Sequence, residues 1–156
     1  MKGFVVAQEG HVVVPLYPVS TSGGKTAQAF SLKKYQHASI IIVRGAQAGQ
    51  ETSVVLNACT DAAGDGATAI PFNVFHSGTT AVDTLGAKTA VTASGYQPSA
   101  TASMFDVIEI DAAELPAGSP YLQVVIANGS NVDLDCIVAI LSGARFAEDQ
   151  SPSEIV

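Results

Sequence analysis

The chain has 156 residues, of which 47% are hydrophobic and only 13% charged, and its formal net charge is −7. That length allows one domain with a sizeable core, while cations so few and so scattered argue against nucleic acid or an anionic membrane surface as a partner. No apolar run approaches the roughly 18 residues of a spanning helix, and the one at the N-terminus stops at Ala7, too short for an export signal, so synthesis in the cytoplasm is expected.

The first strand is expected over His11 to Tyr17, with Pro15 marking it as an edge strand or a bulged one, since proline cannot donate to a central ladder. A Ser/Thr/Gly loop follows from Val19 to Lys25. Phe30 to Tyr35 reads as one helical turn or a short connector that Ser31 would cap. Ala38 to Arg44 is a buried strand, Gly45 to Gln50 a turn, and Thr52 to Cys59 the returning strand. After the polar loop Asp61 to Gly66, Ala69 to Phe75 is a further strand, interrupted by Pro71. The Gly/Thr/Ala/Ser-rich stretch from Ser77 to Ala102 holds one strand, Thr84 to Thr92, and its polarity suggests a face open to solvent or to a partner.

The stretch from Met104 to Phe146 is the scaffold. In Phe105 to Asp111 apolar Phe105, Val107, Ile108 and Ile110 are interleaved with Asp106, Glu109 and Asp111, so the three acids are expected on a solvated face. The runs from Tyr121 and from Cys136 are almost continuously apolar, as in strands covered on both sides. About eight or nine short strands at regular spacing, without a helix longer than a turn or two, give an all-β fold: an antiparallel β-sandwich of jelly-roll type. Residues 1–146 are expected to form a single domain and 147–156 a polar C-terminal tail.

The motifs that could carry chemistry all have plainer readings. Ser22-Gly-Gly-Lys-Thr26 ends like a phosphate-binding loop, but Val19 stands where the first glycine is required and no helix can follow. Asp61, Asp65 and Gly66 resemble part of a calcium loop, yet Ala63 and Phe72 occupy ligand positions; an Asp/Gly turn accounts for them. His11, His37 and His76 are scattered, and nothing in their spacing demands convergence on zinc. Cys59 and Cys136 are expected to be buried free thiols. Asn128-Gly-Ser130 matches a glycosylation acceptor but reads as a turn. The sequence therefore predicts no enzyme and no catalytic, cofactor-binding or metal site.

Several short pieces stand out together: Phe30-Ser-Leu-x-x-Tyr35, Asp83-Thr-Leu-Gly86, Asp106-Val-Ile-Glu-Ile-Asp111, Glu114-Leu115, Pro120-Tyr121, Val138 to Phe146, and Gln150-Ser-Pro-Ser-x-Ile155. They resemble a family of tailed-bacteriophage head decoration, or capsid cement, proteins. The resemblance covers most of the chain and brings no catalytic motif. It implies a virion structural protein on the outer capsid surface that binds the major capsid protein and cements neighbouring subunits. It also implies a homo-oligomer on a local symmetry axis, a trimer in preference to a dimer. Ser77 to Ala102 and both termini are the candidate capsid-facing surface, with Lys2, Lys33, Lys34 and Arg145 available to acidic capsid patches. Two other classes stay open: a tail or head-fibre component, and a carbohydrate-binding or hydrolytic β-sandwich.

Overall fold

The computed structural model describes residues 5–78, 83–127 and 131–145. After a single helical turn, α1 (Val6–Glu9), the chain forms β1 (Gly10–Ser20), β2 (Lys25–Thr26), β3 (Phe30–Ser31), β4 (Tyr35–Arg44), β5 (Ser53–Cys59), β6 (Thr68–Ala69) and β7 (Phe72–His76). Next come β8 (Thr89–Val91), β9 (Met104–Asp111), a 3-10 turn η1 (Ala112–Glu114), β10 (Tyr121–Ala127) and β11 (Leu134–Ala144). One sheet has the order β1-β11-β4-β9-β7-β8 and the other β2-β10-β5-β6, with β3 also on β10; all pairs are antiparallel.

The pairing is nested. The first strand pairs with the last, β2 with β10, β4 with β9, and β5 with β6, which is jelly-roll topology. The β7–β8 hairpin is added beside β9. Alternation drives this closure: β4 buries Ala38, Ile40 and Ile42, β9 buries Ile108 and Ile110, and β11 buries Ile137, Ala139 and Leu141. Val54 and Leu56 of β5, with Leu122, Val124 and Ile126 of β10, meet them from the second sheet, and Phe30, Leu32, Tyr35 and Phe72 join the same cluster.

Proline and glycine place the irregularities. Pro15 lies on an edge strand that is also bulged, with register shifts between Val13 and Leu16 and again between Leu16 and Val19. The expected strand from Ala69 to Phe75 is two strands, because the chain crosses between sheets at Ile70-Pro71: β6 pairs with β5, whereas β7 pairs with β9. Only residues 89–91 of the strand expected over Thr84 to Thr92 are in the ladder. Phe30 to Tyr35 contains strand β3 in place of a helical turn, since Phe30 and Ser31 register with Leu122 and Tyr121. Ser31 Oγ there accepts a hydrogen bond from the Lys33 amide, 3.1 Å, closing a local turn.

The expectation that β10 and β11 are covered on both sides needs correcting. Along β11 every second residue is buried and its neighbours Cys136, Val138 and Ile140 are half-exposed. The apolar run marks an outward face that is itself apolar. Cys136 belongs to that face, so it is not the buried thiol expected, and it lies on the opposite sheet from the fully buried Cys59; both are free. The turn Asn128-Gly-Ser130, Lys2 and the tail 147–156 lie outside the described residues.

Candidate functional site

Strand parity decides where the charges go. On β9 the outward positions are 105, 107, 109 and 111, so Asp106 shares the inner face with Ile108 and Ile110 and is fully buried. The reading of Asp106, Glu109 and Asp111 as one solvated face is therefore wrong for Asp106. Arg44, in phase with Ile40 and Ile42, is buried beside it, and Arg44 Nη1 donates to Asp106 Oδ2 at 2.7 Å. Tyr96 Oη donates to the same oxygen at 2.6 Å, and His76 Nδ1 lies 2.8 Å from Asp106 Oδ1. Burial, with the Asp106 charge, pushes the Tyr96 phenol well above its usual range. The three partners bring the buried carboxyl group a cation and hydrogen bonds to both oxygens, which offsets the cost of its burial.

A second carboxyl group joins the same end of the sandwich. Glu51 and Asp135 are both buried, and Thr21 Oγ1 lies 3.1 Å from Glu51 Oε1 and 2.7 Å from Asp135 Oδ2. Burial pushes the Glu51 carboxyl up to about 8, and its hydrogen bond to Asp135 and the Asp135 charge act in the same direction. Glu51 Oε2 and Asp135 Oδ1 take no other donor among the described residues; a proton retained on Glu51 supplies one and lets two carboxyl groups share a buried site. Nearby, Asp133 Oδ1 accepts from the Ala48 and Gly49 amides at 2.6 and 3.2 Å, which fixes the loop after β4. The arrangement cross-links strand ends and loops. A shallow depression of about 260 Å³ beside Arg44 and His76 is lined mostly by Gln50, Gln97, Pro98 and Ser99.

On the outer face of the six-stranded sheet, His37 bridges two acids. Its Nε2 is 2.6 Å from Glu109 Oε2 and its Nδ1 2.7 Å from Asp111 Oδ1, while Ser39 Oγ donates to Glu109 at 2.7 Å. Burial alone would lower the imidazole pKa; the hydrogen bonds to Asp111 and Glu109 outweigh it, and the net shift is upward. A groove of about 260 Å³ runs beside this trio, with Lys88 on its other wall. His11 instead stacks on Tyr35, centroids 5.8 Å apart. The three histidines thus have three separate roles, and no group of three or more His, Cys, Asp or Glu is disposed to hold a metal ion among the described residues.

The turn residues are spent locally. Asp61 Oδ1 accepts from the Asp65 amide at 3.0 Å, and Gly24 donates to the Thr21 carbonyl in the turn between β1 and β2. By contrast, Lys33, Lys34 and Arg145, three of the four cations singled out in sequence, lie close together. The Arg145 amide donates to Lys34 O at 2.8 Å, Arg145 Nε donates to Tyr35 O at 3.2 Å, and Lys33 Nζ sits 4.9 Å over the Tyr121 ring. Lys33 and Arg145 rim a pocket of about 290 Å³ formed with the loop from Leu115 to Pro120. In the β8 region, residues 83–90 are exposed throughout. The sheet edges offer little to an added strand, because β2, β6 and β8 are two or three residues long and β1 carries Pro15, Pro18 and its bulges.

Arg44, Glu51, His76, Tyr96 and Asp135 were not singled out from the sequence as a group. No family model matches the chain, and no curated protein matches it. Among solved structures it is similar to the SPBc2 prophage-derived protein YomS, at 15% identity and a TM-score of 0.48, over 86% of this chain and 94% of that one.

Proposed function

We propose that the chain is a bacteriophage structural protein, without catalytic activity, that binds the outer surface of an icosahedral capsid and holds neighbouring copies of the major capsid protein together. The resemblance of its strand and turn segments to head decoration proteins supports the reading. The structural observation that carries it is the convergence of Lys33 and Arg145, distant in sequence, on one end of a sandwich whose net charge is −7. A basic island on an acidic body orients the protein toward an acidic partner patch and repels wrong approaches. The exposed β8 region extends the polar surface available for contact. Many copies on one shell turn modest single-site affinity into strong retention.

The test is co-sedimentation of the purified protein with capsids lacking decoration, beside a Lys33→Glu/Arg145→Glu variant. Saturable binding at a fixed ratio to capsid subunits, a more heat-resistant shell, and weaker binding by the variant are expected. Absence of binding to the shell overturns the reading.

A further inference from the structure

The outward face of the six-stranded sheet has a composition that solvent alone does not explain. Its central row, in register across four strands, is Val138, Ile41, Val107 and Phe75. The next row is Cys136, Val43 and Phe105, and Val12, Ile140 and Leu134 extend the patch. Val12, Val43 and Leu134 are 48%, 43% and 46% exposed. These ten side chains, each taking about 4.8 by 6.6 Å of sheet, give a patch of roughly 300 Å² in projection, with Val107 at its centre 9% exposed and Ser39, Glu109 and Asn73 bounding it along the row of Ile140. The largest apolar patch on a soluble protein is commonly of this size and often functional.

We infer that this face is a homodimer interface: a second copy of the chain packs its own six-stranded sheet against it, face to face. Three observations select that occupant. The face is an open sheet surface of aliphatic and aromatic side chains, and such surfaces pack on their like as in the two layers of a sandwich, about 10 Å apart. The two central rows carry no charge, so an identical face brings no unpaired ion into the contact. The acids at its margin, Glu109 and Asp111, are already bridged by His37. Two patches of this size bury about 600 Å² of apolar core, and the polar residues around it, such as Ser39, Asn73 and Ser142, supply about as much again to reach the roughly 1,200 Å² that a specific interface needs. Strand addition at an edge is a poor alternative for the reasons of length and proline given above. A face that stacks on itself is isologous and closes at two copies, so a dimer, not the trimer expected from resemblance, follows.

The inference goes beyond the capsid reading and stands or falls separately from it. Light scattering on the full chain over a dilution series reads the mass, and alkylation of the native Cys136 reads access to the face. Two chains per particle at high concentration, with Cys136 shielded there and reactive on dilution, are expected. Val43→Lys should yield a folded single chain, because a lone lysine keeps its ammonium in water on a free face but loses that water in the stack. A single chain at every concentration, a trimer, or a dimer whose Cys136 reacts as fast as in the monomer overturns the inference. If Val43→Lys does not fold, the Cys136 rates decide. A monomer that binds capsids would sink the dimer alone, and a dimer that ignores capsids would sink only the proposed function.

Discussion

The buried Glu51 carboxyl makes stability depend on pH in a direction opposite to that of an ordinary surface acid. In the unfolded chain this group titrates near 4.5, and in the fold it holds its proton up to about 8. The folded state therefore binds the extra proton between those values. Its stabilising contribution is complete below pH 4.5, falls steadily as pH rises, and is gone above about 8. At about 1.4 kcal/mol for each tenfold change in proton affinity, the full span is worth about 5 kcal/mol, a value that belongs to the Glu51–Asp135 pair rather than to one residue. That is a large share of the 5–15 kcal/mol expected of a domain. Urea denaturation at pH 5, 7 and 9 measures it. The wild type should lose several kcal/mol across the range. Glu51→Gln keeps a donor for Asp135 but has no proton to lose, so its profile should be flatter by about that amount. His37, whose pKa is also raised, contributes in the same direction and is common to both proteins, so the difference isolates Glu51. Parallel profiles for the two proteins would refute the shared proton.

Two further substitutions probe the same end of the sandwich. Arg44→Met removes the guanidinium from buried Asp106 and should cost about 3–5 kcal/mol by urea denaturation; a loss under about 1 kcal/mol would contradict the buried ion pair. Gly95 has φ +79°, and a Cβ there would clash with the Val54 carbonyl oxygen that pairs with Tyr96. Gly95→Ala should therefore displace Tyr96 and destabilise by more than the ~1 kcal/mol of the left-handed backbone alone, and a thermal midpoint unchanged from wild type would contradict that placement.

The strands were legible because alternation is local. Phe105 to Asp111 and Ala38 to Arg44 reveal their buried faces within a few residues, and Pro15 announces its own bulge. The same parity could have revealed the ionic cluster. Asp106 is in phase with Ile108, Arg44 with Ile42, and Asp135 with Ile137, and a charge in phase with a buried row requires a buried partner. Grouping Asp106 with Glu109 and Asp111 by chemistry instead of by phase hid this. Partnership was not legible: nothing near Glu51 in the chain points to Asp135 or Thr21, which meet it only because β11 returns beside β1. Nor does an apolar run distinguish a strand with two covered faces from one whose outer face awaits a partner. Cys136 was misplaced for that reason.

Nested pairing also sets the order in which the molecule can be built. Residues 10–20 find their ladder only in residues 134–142, so β1 waits for β11 as the chain emerges. The inner hairpin of β5 and β6 can close early, but the six-stranded sheet cannot gain its β1 edge until β11 is available. Loop closure over so long a separation places folding in the slow range for its size, milliseconds to seconds. During that interval Val12, Val13 and Val14 have no partner strand. Pro15 and Pro18, which disfavour pairing with a stray chain, guard the segment with the longest wait.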